Sequence, residues 1–371
     1  MMLGFKYYYG LGVEEKCKAS VLYYEEAALE AISYVEQSFG IDIVERKKLS
    51  IGPQVLQDQM QVVDSSADKI YGDFIDLLDL KGEYGNSESL SVLGIQHIHG
   101  TKRVKRDYAR AKSSFERALM INPRENDANY YMGLIYLMGL GVQVDITKAL
   151  NHFEIARNDS RAINAIGYIY FKAPDYLEKD PALLNTYGTI RRDLKKAKEM
   201  FDKSAAKGNV NAMYNLGCFY LSKKPMPASL KNISFSFSEA YDHFKQAAEK
   251  GHTFSAYNVA VMHFLGVGTF ESCQIAQTFL KHVADVGQNT QELKTAYSLV
   301  LEHRPMEAAM IYMELAEQGL AVAQLNAAVL LDKYNIFQKD TSRLLLGKAL
   351  ANEKNITKPM NINKQLAFRY Y

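Results

Sequence analysis

Apolar positions along this chain recur at the three-and-four spacing of a helix face, and they recur as a unit. The stretch 131–156, YMGLIYLMGLGVQVDITKALNHFEIA, holds two amphipathic segments joined by Gly139-Leu140-Gly141-Val142. In the first segment Gly133 and Tyr136 lie three residues apart, on nearly one face. In the second, Ala149, Phe153 and Ala156 are spaced by four and three, which is one stripe. Glycine removes a side chain where the second helix must approach, at a helix-propensity cost of roughly 1 kcal/mol against alanine. The two turn glycines permit the backbone angles of a reversal, and Asp145 is placed to cap the second helix.

The same offsets return along most of the chain. Residues 1–28 form a first unit through Leu3-Gly4, Tyr7, Gly10-Leu11-Gly12-Val13, Ser20, Tyr24 and Ala27-Ala28. Later first helices are marked by Gly94, Gly133, Gly167, Gly217 and the equivalent Ala260, a period of roughly forty residues. The matching second helices carry Ala111 and Phe115, Ala197 and Phe201, Ala240 and Phe244, and Ala276 with Leu280. Residues 29–67 break the pattern. Ile41–Val44 and Leu49–Ile51 look extended, and Gly52-Pro53 is a turn signal, so an irregular insertion with some strand character is expected there. Asp64-Ser65-Ser66 then offers caps for a helix ended by Gly82. The organisation expected is a first repeat at 1–28, an insertion at 29–67, central repeats at 68–287, and degenerate repeats with a truncated last unit at 288–371. The fold class is an all-α, right-handed α-solenoid of stacked helix-turn-helix repeats, in which each repeat packs on its neighbours.

The pattern resembles the Sel-one-like repeat, a relative of the tetratricopeptide unit. Its signature runs Leu-Gly-x-x-Tyr-x-x-Gly-x-Gly-Val, then Lys-Ala-x-x-x-Phe-x-x-Ala-Ala, and residues 131–156 and 3–28 carry it almost in full. The later wording narrows the resemblance: Ser272-Cys273, Thr295-Ala296-Tyr297, Ala308-Ala309, Tyr312, Leu315–Gly319, and Gln324 with Asn326-Ala327-Ala328. Together these are similar to the lumenal adaptor subunits of HRD-type ubiquitin ligases in endoplasmic-reticulum-associated degradation. That resemblance implies a non-enzymatic scaffold in the endoplasmic-reticulum lumen, held by a transmembrane helix outside this chain. Its partners would be a membrane-embedded ubiquitin ligase, a lectin-type quality-control factor and misfolded glycoproteins. Partner contact is expected toward the last repeats, at Tyr297, Tyr312, Gln324 and Asn326. The resemblance also makes Gly266-Val267-Gly268 a candidate hinge. It would let the helix 273–286, with Leu280, swap into a second copy and allow a homodimer. The alternative is a Sel-one-like scaffold that activates another enzyme, of the chitin-synthase-activator or bacterial secreted type.

Composition and charge add limits. The 371 residues are 48% hydrophobic and 23% charged, ample for a core and unlike a disordered chain. The net charge of +2 gives no reason to expect nucleic acid. Lys102–Arg106 and Arg191–Lys198 are basic runs that fit solvated helix starts and loops. No cofactor motif, phosphate loop or catalytic constellation appears, so no enzyme is expected beyond a diffuse site in the solenoid groove. His97 and His263 stand at the repeat's tyrosine position and fit core packing better than metal binding.

Cys17, Cys218 and Cys273 form no close pair, which predicts three free, mostly buried thiols. One bridge between two repeats stays open. The apolar start of the chain lacks the form of a signal peptide. It begins partway through a helix and stops soon after another begins, as a piece of a longer protein would. Three sequons, at Asn158, Asn232 and Asn355, are glycan acceptors if the chain is lumenal.

Overall fold

The computed structural model describes residues 1–37, 65–100, 104–173, 188–221, 236–286 and 289–334. Among these residues every regular element is an α-helix. The first are α1 (Met2–Tyr9), α2 (Cys17–Gln37), α3 (Ser65–Glu83), α4 (Ser87–His99) and α5 (Tyr108–Ile121). Then follow α6 (Asn126–Met138), α7 (Ile146–Ile155), α8 (Ser160–Lys172), α9 (Leu194–Ala206), α10 (Val210–Tyr220) and α11 (Phe237–Glu249). The last are α12 (Thr253–Leu265), α13 (Cys273–Ala284), α14 (Asn289–Leu301), α15 (Pro305–Glu317) and α16 (Ala321–Tyr334). From α3 to α12 each helix packs on the next, the stacking of an α-solenoid.

One turn geometry makes the pairs. The N–H of the residue opening the second helix bonds back to the carbonyl of the tyrosine position in the first. Lys16 meets Tyr7 at 3.1 Å, Asp107 meets His97 at 2.9 Å, Asp145 meets Tyr136 at 3.0 Å and Asp193 meets Tyr170 at 3.2 Å. The aspartates also cap. Asp107, Asp145 and Asp193 each accept a bond from the N–H three residues on, at 2.9 Å. Gly139 sits at φ +68°, closing α6 in the left-handed region where other residues are strained.

Inside each pair the glycine of the first helix faces an aromatic ring of the second. A Cβ added to Gly94 would lie 2.6 Å from Phe115, to Gly133 2.5 Å from Phe153, to Gly167 2.8 Å from Phe201, and to Gly217 2.5 Å from Phe244. All four rings are fully buried. In the first repeat Tyr24 takes the place of phenylalanine, 3.1 Å from the corresponding point on Gly4. Gly82 is the penultimate residue of α3 and admits Leu90 in the same way.

The chain divides into two compact units, residues 65–271 (α3–α12) and residues 1–64 with 272–371 (α1, α2 and α13–α16). The boundary falls between α12 and α13, inside the sixth repeat. The expected insertion also changes. Residues 29–37 continue α2 as helix, because Ala31 and Val35 extend its buried stripe past Ala28. Residues 38–64, where strand character was expected, lie outside the described residues.

The expectation of three free thiols is overturned. Cys17 and Cys273 form a disulfide, with Cα atoms 6.1 Å apart across a sequence separation of 256. Each is the first residue of its helix, and α13 packs along α2. That pairing is invisible in spacing because the two helices come from distant repeats. Cys218 is free and half-buried, and burial pushes its thiol pKa up.

Candidate functional site

In the unit of α3–α12, the first helices of successive repeats present a connected polar and aromatic face. Its centre is Arg161 at the start of α8. Asp159 caps that helix, accepting the N–H of Arg161 at 2.8 Å, and also accepts Arg161 Nε at 2.9 Å. The guanidinium reaches across to Asp127 of α6. It lies 4.5 Å from the ring centre of Tyr130 and 5.9 Å from that of Tyr131. A guanidinium is suited to this because it can stack on a ring while its edge donates in the plane. The two carboxylates raise the Arg161 pKa against the opposing effect of its burial. Burial pushes the Tyr130 hydroxyl up to about 12.

The face continues to both sides. Tyr131 stacks on Phe115 and meets His99 edge-on. Asn164 of α8 accepts a bond at 2.9 Å from Asn215 of α10. Beyond it Tyr214 lies 4.7 Å from His252, which caps α12 through Ser255. Arg161 and Asp127 are about equally half-exposed, their side chains retaining 40% and 42% of their surface, while Asp159 keeps 12%. This arrangement leaves the Arg161 guanidinium and the Asp127 carboxylate half-exposed, with Tyr130 and Tyr131 packed beneath them on the repeat cores. It brings no nucleophile and base together.

The sequence shows the ingredients of this cluster, Asp127, Tyr130, Tyr131, Asp159 and Arg161, without showing that they meet. The one legible signal is Asp159-Ser160 as a helix start; the partner across the repeat, Asp127, is set by tertiary packing.

Elsewhere in this unit, second-helix side chains cover the repeat's tyrosines. Tyr136 stacks on His152, and Tyr220 on His243. Lys196 Nζ donates to the Tyr170 hydroxyl at 2.8 Å and lies over that ring. Burial lowers the pKa of His152, His243 and His252, the last to about 4. His263 is buried, between the Tyr241 hydroxyl at 3.0 Å and the Phe270 carbonyl at 3.1 Å. No group of three or more metal-ligating side chains occurs among the described residues.

The other expected site residues are scattered. Asn158 is exposed in the turn between α7 and α8, and its carbonyl accepts a bond from Lys207. Asn232 and Asn355 lie outside the described residues. Gly266 closes α12 with φ +64°. Gly268, at φ +74°, lets the backbone pass the Phe237 carbonyl, which an added Cβ would meet at 2.4 Å. Leu280 is buried on α13.

In the last helices Tyr312 and Asn326 are both buried, and Asn326 hydrogen-bonds Tyr312. They hold α15 to α16 and are not open to a partner. Gln324 donates to the Ala316 carbonyl at 3.2 Å, and Tyr297 packs half-buried on the same core. Of these four, only Gln324 and Tyr297 keep surface.

Comparison with known proteins fits this geometry. The family model described as the Sel1 repeat matches residues 1–31, 126–158, 182–209, 210–252 and 253–281. The pair α4–α5 falls outside these matches yet has the same glycine–phenylalanine packing at Gly94 and Phe115. A Sel1-like repeat-containing protein of Schizosaccharomyces pombe, itself uncharacterized, is 24% identical over 207 residues. That match covers 55% of this chain and 28% of the relative, so the chain spans less than a third of it.

Two solved structures are similar at 21% identity. One is a Sel1 repeat protein from Oxalobacter formigenes, with TM-score 0.43 over 67% of this chain and 87% of that one. The other is c5321, a protective antigen of uropathogenic Escherichia coli displaying an SLR fold, with TM-score 0.31 over 70% and 60%.

Proposed function

We propose that this chain, a Sel1-repeat protein suited to protein–protein interaction, is a non-enzymatic adaptor in the endoplasmic-reticulum lumen. It would serve a membrane-embedded ubiquitin ligase, presenting misfolded glycoproteins together with a lectin-type factor. The observation that carries the scaffold reading is the connected first-helix face centred on Arg161. It sets the half-exposed Arg161 and Asp127 over Tyr130 and continues to the Asn164–Asn215 pair across successive repeats, and arginine is among the residue types that anchor protein interfaces. The repeat interiors, in turn, are filled by glycine–aromatic packing.

Two observations support the compartment. A disulfide persists in oxidising environments and is rare in the cytosol. Asn158, in an Asn-Asp-Ser sequon, stands exposed in a turn where an enzyme can reach it. The wording of the last repeats supports the ligase class.

The test is glycosidase digestion of the protein purified from its native membranes. The adaptor reading predicts a mobility shift that shrinks in Asn158→Gln, and mass-spectrometric detection of a glycan on that residue. Unmodified asparagine at 158, 232 and 355 alike would argue against a lumenal protein.

A further inference from the structure

We propose that the Cys17–Cys273 disulfide is a redox latch that holds α13 on α2 and can be opened without unfolding the unit of α3–α12. The bond sits where the repeat order is broken. The helix α13 belongs by sequence to the sixth repeat, but it joins the unit that contains α2, 256 residues away from its bonding partner. Neither chain connectivity nor repeat order therefore holds α13 against α2; side-chain packing and one covalent bond do.

That packing is imperfect. The buried face of α13 is Ala276, Gln277, Leu280, Val283 and Ala284, with a polar amide in its first turns. The carbonyl oxygen of Gln277 lies 3.5 Å from Cys17 Sγ. A sulfur in a disulfide carries no proton, so this contact becomes a hydrogen bond only when Cys17 is a thiol. An interface with a buried amide of this kind gains less from burial than an apolar one. In contrast, α14–α16 share their own core, from Leu293 and Ala296 to Val329 and Leu330, which does not include α13.

The bond is also reachable. Cys17 and Cys273 are both partly exposed, and both open their helices. A leaving thiolate at a helix N-terminus is stabilised by the positive end of the helix, which speeds exchange. The reductant would be a dithiol. Its thiolate attacks one sulfur, the S–S bond breaks, and the other cysteine leaves and takes a proton. The second thiol of the reductant then displaces the remaining cysteine and closes the reductant's own disulfide. Two electrons and two protons pass to Cys17 and Cys273.

The experiment is hydrogen exchange followed by mass spectrometry on the full chain, with and without dithiothreitol, with alkylation reporting the thiols. The latch predicts that untreated protein labels Cys218 alone and runs as a monomer on a non-reducing gel. On reduction, amides of α2 and α13 should exchange about thirtyfold faster or more, the effect of a typical disulfide. Those of α3–α12 and α14–α16 should keep their protection, and reoxidation should restore the first pattern. The double variant Cys17→Ser/Cys273→Ser should show the reduced pattern permanently, and Cys218→Ser should respond as the parent does. Free Cys17 and Cys273 in untreated protein, a covalent dimer, unchanged exchange after complete reduction, or equal loosening of α3–α12 would each overturn the proposal.

Discussion

Gly133 and Phe153 occupy one space: a Cβ on Gly133 would stand 2.5 Å from a carbon of the Phe153 ring, closer than any real contact. The ring is fully buried between the two helices, so an added methyl must displace it. Gly133→Ala adds helix propensity worth up to about 1 kcal/mol, but it overpacks the pair. A net loss of about 1–2 kcal/mol is expected from chemical denaturation. Combining it with Phe153→Leu should cost less than the sum of the two single changes, because each relieves the other. Additive losses would show that the two sites do not share this space.

Tyr24 stands where four later repeats have Phe115, Phe153, Phe201 and Phe244, with its hydroxyl buried and unpaired among the described residues. Burial raises its pKa far above that of an ordinary tyrosine, with Asp285 adding to the effect. Tyr24→Phe should therefore leave stability unchanged or raise it by about 1 kcal/mol. A clear drop in the unfolding midpoint would mean that the hydroxyl has a partner.

The two carboxylates on Arg161 should differ. Asp159 both pairs with the guanidinium and caps α8, while Asp127 only pairs, from a half-exposed position. Asp159→Ala is expected to cost about 1–2 kcal/mol, mostly through the lost cap. Asp127→Ala is expected to cost less than about 1 kcal/mol, and still less in high salt. Equal costs from denaturant titration would contradict the assignment of roles.

Acid should destabilise the repeats before carboxylates protonate. His152, His243 and His252 are held below their ordinary pKa by burial. In that case the unfolded chain binds more protons between the lowered and the ordinary value, so stability rises with pH through that window. The contribution is complete above about pH 6.5 and falls as pH drops toward the folded values. His252 reaches lowest, to about 4, and its Nδ1 must stay unprotonated to accept the Ser255 N–H. His252→Asn keeps a capping acceptor without the titration. It should flatten the pH dependence of the melting temperature between about pH 6.5 and 4; an unchanged slope would assign the effect elsewhere.

The repeat was legible because its constraints are local. Glycine against an aromatic ring, paired turn glycines and a capping aspartate recur at fixed offsets, and Gly94–Phe115 through Gly217–Phe244 pack as that spacing implies. Residues 29–37 misled because α2 simply runs on, carried by Ala31 and Val35, and no breaker marks its passage beyond the repeat length. The disulfide and the Arg161 cluster were hidden for a different reason. Each depends on which helices meet: α2 with α13 across 256 residues, and α6 with α8 across one repeat. The resemblance makes Tyr312 and Asn326 partner contacts, whereas they bond to each other inside the core. A polar residue on an apolar helix such as α16 is as readily a buried hydrogen-bonding partner as a surface contact.

The adaptor account is tested most directly by purifying the full-length natural protein from detergent-solubilised membranes and quantifying what co-purifies. The account predicts a membrane-embedded ubiquitin ligase in near-stoichiometric amount, with a lectin-type factor. It further predicts that Arg161→Glu lowers recovery of glycoprotein client while the circular-dichroism spectrum is kept. A preparation that retains its fold yet recovers no ubiquitin ligase, or recovers instead a soluble enzyme whose activity it raises, would contradict it.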